Sequence, residues 1–424
     1  MIKFEKWALP YLDIYIESFR DSRKVDAEGR YSLSGAAIDE PEEIAFAAIK
    51  KAANLNFRAL RIAVRKSLFS KNLKKDFKKE DWIHEIQYQY ELEVRNNNKQ
   101  KYVLFTGFFY LHLYNFNAIK FSDCEIRFYQ DSQPKNLAGF IKVQKSLLEQ
   151  HHQISKVEYF QHGYVPIKVF VDAANPYEAA DVAQMRLDEI RGLMNFVQNR
   201  IKISETEYGT LVKSPINNIL PFRYSTIHNS SGCKATDTFW YIAEWHQPRN
   251  IADFSKKNGL FAEWFKRGVH QLRSEGPLTC MARVALRMYV SALDTSNFRD
   301  AFLRLWAVLE YLALAEQEQR HDIIVKRVSA IWFDRSDSIL FLEHLRAARN
   351  EMVHKGSDYH EDYSKNLVLR LNRFVCEMIR IYLFNPLNFR NVEEIRHFLD
   401  APTDGEHLER RIATLQKVKQ FRRL

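Results

Sequence analysis

The sequence predicts an α+β N-terminal part followed by an all-α helical bundle. Two observations carry that prediction. Between residues 86 and 171, several runs alternate apolar and polar residues as half-buried strands do, whereas after about residue 255 apolar residues recur at spacings of three and four, the mark of amphipathic helices. The expected division is 1–254 for the α+β part, 255–390 for the bundle and 391–424 for a basic helical extension.

From Pro41 to about Ser70 the pattern is helical, with Phe57, Leu60, Val64 and Leu68 in one stripe. Ile86, Tyr88, Tyr90, Leu92 and Val94 then alternate with polar residues, Asn96-Asn97-Asn98 supplies turn chemistry, and the run Tyr102–Tyr114 returns, which predicts a β-hairpin. Cys124–Tyr129 and Val165–Val171 are further strand candidates. Asn175-Pro176-Tyr177-Glu178 reads as a helix start, with Asn at the N-cap, Pro at N1 and Glu at N3. Ala180, Ala183, Leu187, Ile190, Met194 and Val197 continue that helix to about Gln198. Residues 204 to 250, interrupted by Pro215, Pro221, Gly232 and Pro248, read as irregular. Helices are expected from Pro277 to Leu293, from near Ser296 with Phe302, Leu305, Leu309 and Leu312, and over Ile324, Val328 and Ile331. Two more are expected over Ser338–Lys355, with Phe341, Leu345, Ala348 and Met352, and through Leu367, Leu371, Phe374, Met378 and Ile381.

Composition excludes several classes. The 424 residues are 46% hydrophobic and 27% charged with only 13 Gly and 11 Pro, which is not a disordered, collagen-like or disulfide-stapled chain. The four cysteines lie at least 47 residues apart without a C-x-x-C pair, so reduced thiols in a cytoplasmic protein are expected. Glu5, Lys6, Pro10 and Asp13 interrupt any signal-peptide core. The uncharged run Tyr102–Ile119 reads as strand because aromatics and Thr106, His112, Asn115 and Asn117 fill it, so no membrane segment is expected. No phosphate loop, dinucleotide fingerprint or nucleophile elbow occurs. His151-His152, His321-Asp322 and His360 lack the spacing of a ligand set, so no metal and no cofactor are expected.

The formal charge of +10 points to an anionic partner, nucleic acid before membrane. Residues 50 to 80 hold eleven Lys and Arg against two Asp and Glu, a net of +9. Arg58, Arg61 and Arg65 flank the apolar stripe there and are candidate RNA contacts. A solvated charged face on a docked helix accounts for them equally well.

The segment Leu345-Arg346-Ala347-Ala348-Arg349-Asn350-Glu351-Met352-Val353-His354-Lys355-Gly356 places Asn350 and His354 opposite the apolar stripe of its helix, with Glu343 and Arg346 beside them and Arg349 on the shoulder. A histidine on that face can meet a ligand or a second subunit. Arg349-Asn350-Glu351-Met352-Val353-His354 resembles the Arg-polar-x-x-x-His signature of HEPN domains, helical bundles found in many ribonucleases. Phe302-Leu303-Arg304-Leu305-Trp306-Ala307-Val308-Leu309-Glu310-Tyr311-Leu312 resembles the preceding helix of the Apea-like HEPN branch. The resemblance covers roughly residues 277 to 385. Spacing alone is weak, since about one Arg/His pair five apart arises by chance in such a composition. Arg223 and His228 are such a pair in a segment without helical periodicity, and Arg390-Asn391 with His397 is a looser one.

The resemblance implies a metal-independent endoribonuclease, a hydrolase that leaves a 2′,3′-cyclic phosphate, with a composite cleft formed by a homodimer. It assigns the acid/base role to His354 and the phosphate-stabilising role to Arg349, makes Asn350 an orienting group, and gives Arg346 and Glu310 supporting places. It also implies a toxin or antiphage defence effector, with an antitoxin or defence-system partner protein. The residue two after the histidine, often tyrosine where nucleotidyltransferase antitoxins act, is Gly356 here, so regulation through that tyrosine is not expected. Three alternatives stay open: a non-catalytic HEPN module that binds RNA or protein, an enzyme whose active site lies in the N-terminal part, and a solvated helix end in which His354 and Lys355 complement the dipole and Gly356 follows as C′.

Overall fold

The computed structural model describes residues 3–6, 8–10, 12, 16, 23–25, 31–33, 48–49, 57–68, 70, 72–73, 76–95, 99–111, 117–129, 137–150, 163–206, 217, 219–242, 245, 251–254, 258–314, 321–332, 335–355, 360–402 and 404–422. Internal contacts divide the chain into two compact units, 1–100 with 173–178, and 101–172 with 179–424. The second unit holds a sheet, the bundle helices and the C-terminal helices together, so it crosses the divisions at 254 and 390 expected from the sequence.

In the first unit, β1 (Arg23–Val25) and β2 (Tyr31–Leu33) pair antiparallel. Two helices, α1 (Phe57–Leu68) and α2 (Lys79–Arg95), pack on one another. Leu60, Val64 and Leu68 of α1 meet Trp82 and Ile86 of α2 in a core that also takes Leu12, Ile16, Leu73 and Phe77. The Trp82 indole donates to Ser67 Oγ at 2.9 Å, and Ser67 donates to the Val64 carbonyl at 2.6 Å, so no polar atom of that pair is orphaned. The strand expected over Ile86–Val94 is therefore a helix. The Asp81 carboxylate accepts from Lys78 N at 2.8 Å and starts the helix one turn upstream. The four-residue spacing Trp82–Ile86–Tyr90 then governs burial, while Tyr88, which strand alternation would bury, is exposed.

In the second unit the sheet runs β4 (Ala118–Lys120), β5 (Cys124–Phe128), β6 (Tyr164–Ala173), β3 (Gln100–Leu111), β8 (Tyr224–Asn229) and β9 (Lys234–Tyr241), with β7 (Leu220–Pro221) and β10 (Ala252–Asp253) also paired to β3. β3 takes in residues 102–111 of the uncharged run considered above for a membrane, and nine consecutive residues of it are buried. No helix among the described residues is long and apolar enough to cross a membrane. The stretch 204 to 250 read as irregular contains the β8–β9 hairpin, closed by a turn in which Gly232 adopts φ +86° and Asn229 Oδ1 accepts from Ser231 N and Cys233 N. One sheet face is covered by α3 (Ala138–Gln150), whose Phe140, Gln144 and Leu148 meet Phe105, Thr226 and Tyr164.

The helix α4 (Pro176–Thr206) begins as the sequence predicts. Asn175 Oδ1 accepts from Tyr177 N and Glu178 N, and Glu178 returns a bond to Ala174 N. From Arg186 to Asn199 it is buried on nearly every side. Its apolar stripe is supplemented by Leu193 and Phe196, and its polar residues are paired: Arg186 with Asp123 and Glu189, and Arg191 with Asp188 and Asp294.

The bundle comprises α5 (Asn258–Leu272), α6 (Pro277–Leu293), α7 (Phe298–Ala313), α8 (His321–Ser329), α9 (Arg335–His354) and α10 (Glu361–Phe384). Asn297 caps α7 through Arg299 N and Asp300 N. α7 packs most extensively on α10 and α6 and also touches α8 and α9. The predicted stripes of α7 and α10 are buried throughout. On α9 the stripe shifts by one position. Leu342 is buried beside Leu345, Ala348 and Met352, while Phe341 is 42% exposed, with the Arg370 guanidinium 5.2 Å from its ring centroid.

α11 (Val392–Leu399) docks on the bundle with Ile395 and Leu399 buried, and the buried Arg327 of α8 binds Asp400 just past its end at 2.8 and 3.0 Å. The extension expected over 391–424 is therefore bundle up to about residue 400. α12 (Gly405–Phe421), started by Asp404, buries no residue.

Candidate functional site

The candidate residues lie on the last two turns of α9 and on α7. α9 persists to His354 because Ser338, Leu342, Leu345, Ala348 and Met352 bury one face of it, and because Arg299 of α7 donates to the Met352 carbonyl at 2.8 Å. That cation satisfies a carbonyl that the helix end leaves without an intrahelical partner. Nothing in the spacing of Arg299 singled it out, since it precedes the matching segment of α7 and works through a backbone atom.

Arg349 is half-buried between the two helices. Its Nη2 donates to Glu310 Oε1 at 3.5 Å and its Nη1 to Asn350 Oδ1 at 3.4 Å. Both contacts are long for N–H to O bonds, so they orient the guanidinium weakly and leave donors for an incoming anion. The structure thus brings Arg349, Asn350 and Glu310 within reach of one another. The His354 side chain is exposed at the helix end and makes no hydrogen bond to another described residue. Lys355 is exposed beside it and pairs with Glu351 at 3.7 Å. Arg346, given a supporting place, is bound instead to Glu343 on its own helix, with Nε at 2.8 Å and Nη2 at 2.6 Å. Gly356 lies outside the described residues. No family model, no curated protein and no solved structure matches this chain.

The other motif-like pair has a different fate. His228 lies on β8 inside the sheet layer, fully buried, with Nε2 2.9 Å from Thr226 Oγ1 and Nδ1 3.1 Å from the Gly232 carbonyl. The rings of Phe105 and Phe140 flank it. Burial pushes its pKa down to about 4, and Lys168 adds to that. His228 is a satisfied neutral core residue, so the Arg223/His228 spacing carries no composite site. His397 sits on α11, seven residues past Arg390.

Of the candidate RNA contacts, Arg58, Arg61 and Arg65 all fall on α1, and Arg61 and Arg65 are exposed. The Arg58 side chain lies outside the described residues. Lys66 on the same helix pairs with Glu93 of α2. Among the described residues no three His, Cys, Asp or Glu side chains converge as metal ligands would.

Proposed function

We propose that this chain is a metal-independent endoribonuclease of HEPN type, whose active site is made from the Arg349–Asn350–His354 edge of α9. The observation that supports it best is that a half-buried, weakly held Arg349 and an exposed His354 both lie on the last two turns of the helix whose sequence carries the signature.

The chemistry follows from the residue types. A general base takes the proton of the ribose 2′-OH as the 2′-oxygen attacks phosphorus. The P–O5′ bond breaks, and a general acid returns a proton to the O5′ leaving group, so the products are a 2′,3′-cyclic phosphate and a free 5′-hydroxyl. An imidazole titrating near neutrality serves either proton transfer. Arg349 offers a planar fork of donors to the non-bridging oxygens as charge builds on phosphorus. Glu310 and Asn350 keep that fork from swinging into solvent. One edge supplies one histidine, so base and acid come from two copies of α9, which makes the active form a homodimer. Growth arrest, as a toxin or defence effector, is the biological role that such an activity would serve.

The test is cleavage of a mixed-sequence RNA in excess EDTA. Wild type should cut, His354→Ala should lose at least a hundredfold of the rate, and Arg349→Ala a comparable factor, as loss of a general acid/base or of one electrostatic donor does. Equal cleavage by wild type and His354→Ala contradicts the proposal. RNA binding that survives His354→Ala with no cleavage by wild type would assign a binding module instead.

A further inference from the structure

A cleft of about 300 Å³ opens between one sheet face and the first turns of α4, away from the residues assigned to RNA cleavage. Its floor is Leu104, Thr106 and Phe108 of β3, Ser225 of β8 and Trp240 of β9, and its other wall is the Ala180/Gln184/Leu187 face of α4. The register explains the assembly. Ser225 pairs with Trp240 across β8–β9, so both point to the same face, and residues 104, 106 and 108 share a face by strand alternation.

The polar groups here are those left over by the fold. Arg223 lines the cleft, and its guanidinium makes no hydrogen bond or ion pair with a described residue. Its Nε is sealed from solvent without a partner, and its Cζ is 5.4 Å from the Tyr224 ring centroid. An unpaired buried donor is costly and uncommon in folded proteins. The Ser225 hydroxyl also has no hydrogen-bond partner among the described residues. Large apolar side chains rim the opening, with Tyr241 and Ile242 exposed and Trp240 half-buried. A concave, mostly apolar space with a few convergent polar groups is the physical description of a small-molecule site, and this volume matches one ring system with a substituent. The flat aromatic walls favour stacking, and the guanidinium fork favours a carboxylate or phosphate.

We propose that this cleft binds a planar aromatic anion, with the ring against Trp240 and Phe108 and the acidic group on Arg223 and Ser225. The proposal is independent of the nuclease reading. Two sources share that chemistry, a nucleoside monophosphate and an aromatic carboxylate.

Calorimetric titration of the full chain with AMP, GMP, CMP and UMP against their nucleosides, and with indole-3-acetate and 4-hydroxyphenylacetate against their amides, distinguishes them. At least one anion should bind with a Kd under about 100 µM, its neutral counterpart at least tenfold more weakly. Arg223→Gln should erase that tenfold preference. Gln184→Trp, which changes an exposed helix residue and fills the mouth, should abolish binding with an unchanged thermal midpoint. A phosphate that binds identifies the first source and a carboxylate the second. Failure of every probe to bind wild type overturns the proposal, as does an anion preference that survives Arg223→Gln.

Discussion

His228 shows at single-residue scale what burial does to a titratable group. Its pKa is held near 4 in the folded chain, while an unfolded histidine takes its proton near 6.5. The unfolded state therefore binds more protons between those values. Full stability is present above about pH 6.5 and is lost as the pH falls toward 4. The loss from this group alone between pH 7 and pH 5 should be roughly 2 kcal/mol. Denaturant titrations at both pH values check it: His228→Gln should show a smaller acid loss than wild type by about that amount. A second residue-scale prediction concerns Gly192 on α4. A Cβ there would sit 2.4 Å from the Leu286 carbonyl oxygen of α6, a backbone atom that cannot swing aside. Helix propensity alone would favour alanine by about 1 kcal/mol. The clash outweighs that, and Gly192→Ala should destabilise by about 1–3 kcal/mol and lower the thermal midpoint.

Among elements, legibility followed how many signals agreed. The helices α6, α7 and α10 are legible because their apolar residues recur at three and four over a long run, and Pro277 also marks the start of α6. α2 has the sequence pattern of a strand because Ile86, Tyr88, Tyr90, Leu92 and Val94 satisfy a period of two, while the residues that decide for a helix, Asp81 and Trp82, lie outside that window. Pro221 and Gly232 punctuate the β8–β9 hairpin and mask its pattern, although Asn229-Ser230-Ser231-Gly232 between Tyr224–His228 and Thr236–Tyr241 is a turn between two β-rich runs. The α9 edge was legible as a pattern, but Arg299 and the Arg346–Glu343 pairing were not, because a backbone cap and a same-helix ion pair leave no spacing signature across helices. The C-terminal helices carry an element-scale prediction. Deleting 404–424 removes a helix with no buried residue and should leave the thermal midpoint within a degree or two. Deleting 391–424 exposes the Ile395 and Leu399 sites and strips Arg327 of Asp400, and should lower it markedly. Parallel melting curves of the two truncations check this.

For the whole molecule, the basic excess and the candidate chemistry fall in different units. α1, with exposed Arg61 and Arg65, belongs to the first, and α7 and α9 belong to the second. If binding and cutting are divided in that way, Arg61→Gln with Arg65→Gln should weaken RNA affinity severalfold, flatten its salt dependence and leave single-turnover cleavage at saturating RNA unchanged. His354→Ala should do the reverse. Filter-binding titrations at two salt concentrations, set beside cleavage time courses, separate the two effects. The central claim is narrower: His354 and Arg349 promote attack by the 2′-oxygen of RNA on its own phosphodiester. The most direct measurement is the mass of the cleaved 3′ ends in excess EDTA. The account predicts 2′,3′-cyclic phosphates from wild type, none from His354→Ala, and no cleavage at a 2′-deoxy position. Ends bearing a free 3′-hydroxyl, or cleavage at the 2′-deoxy position, would contradict it.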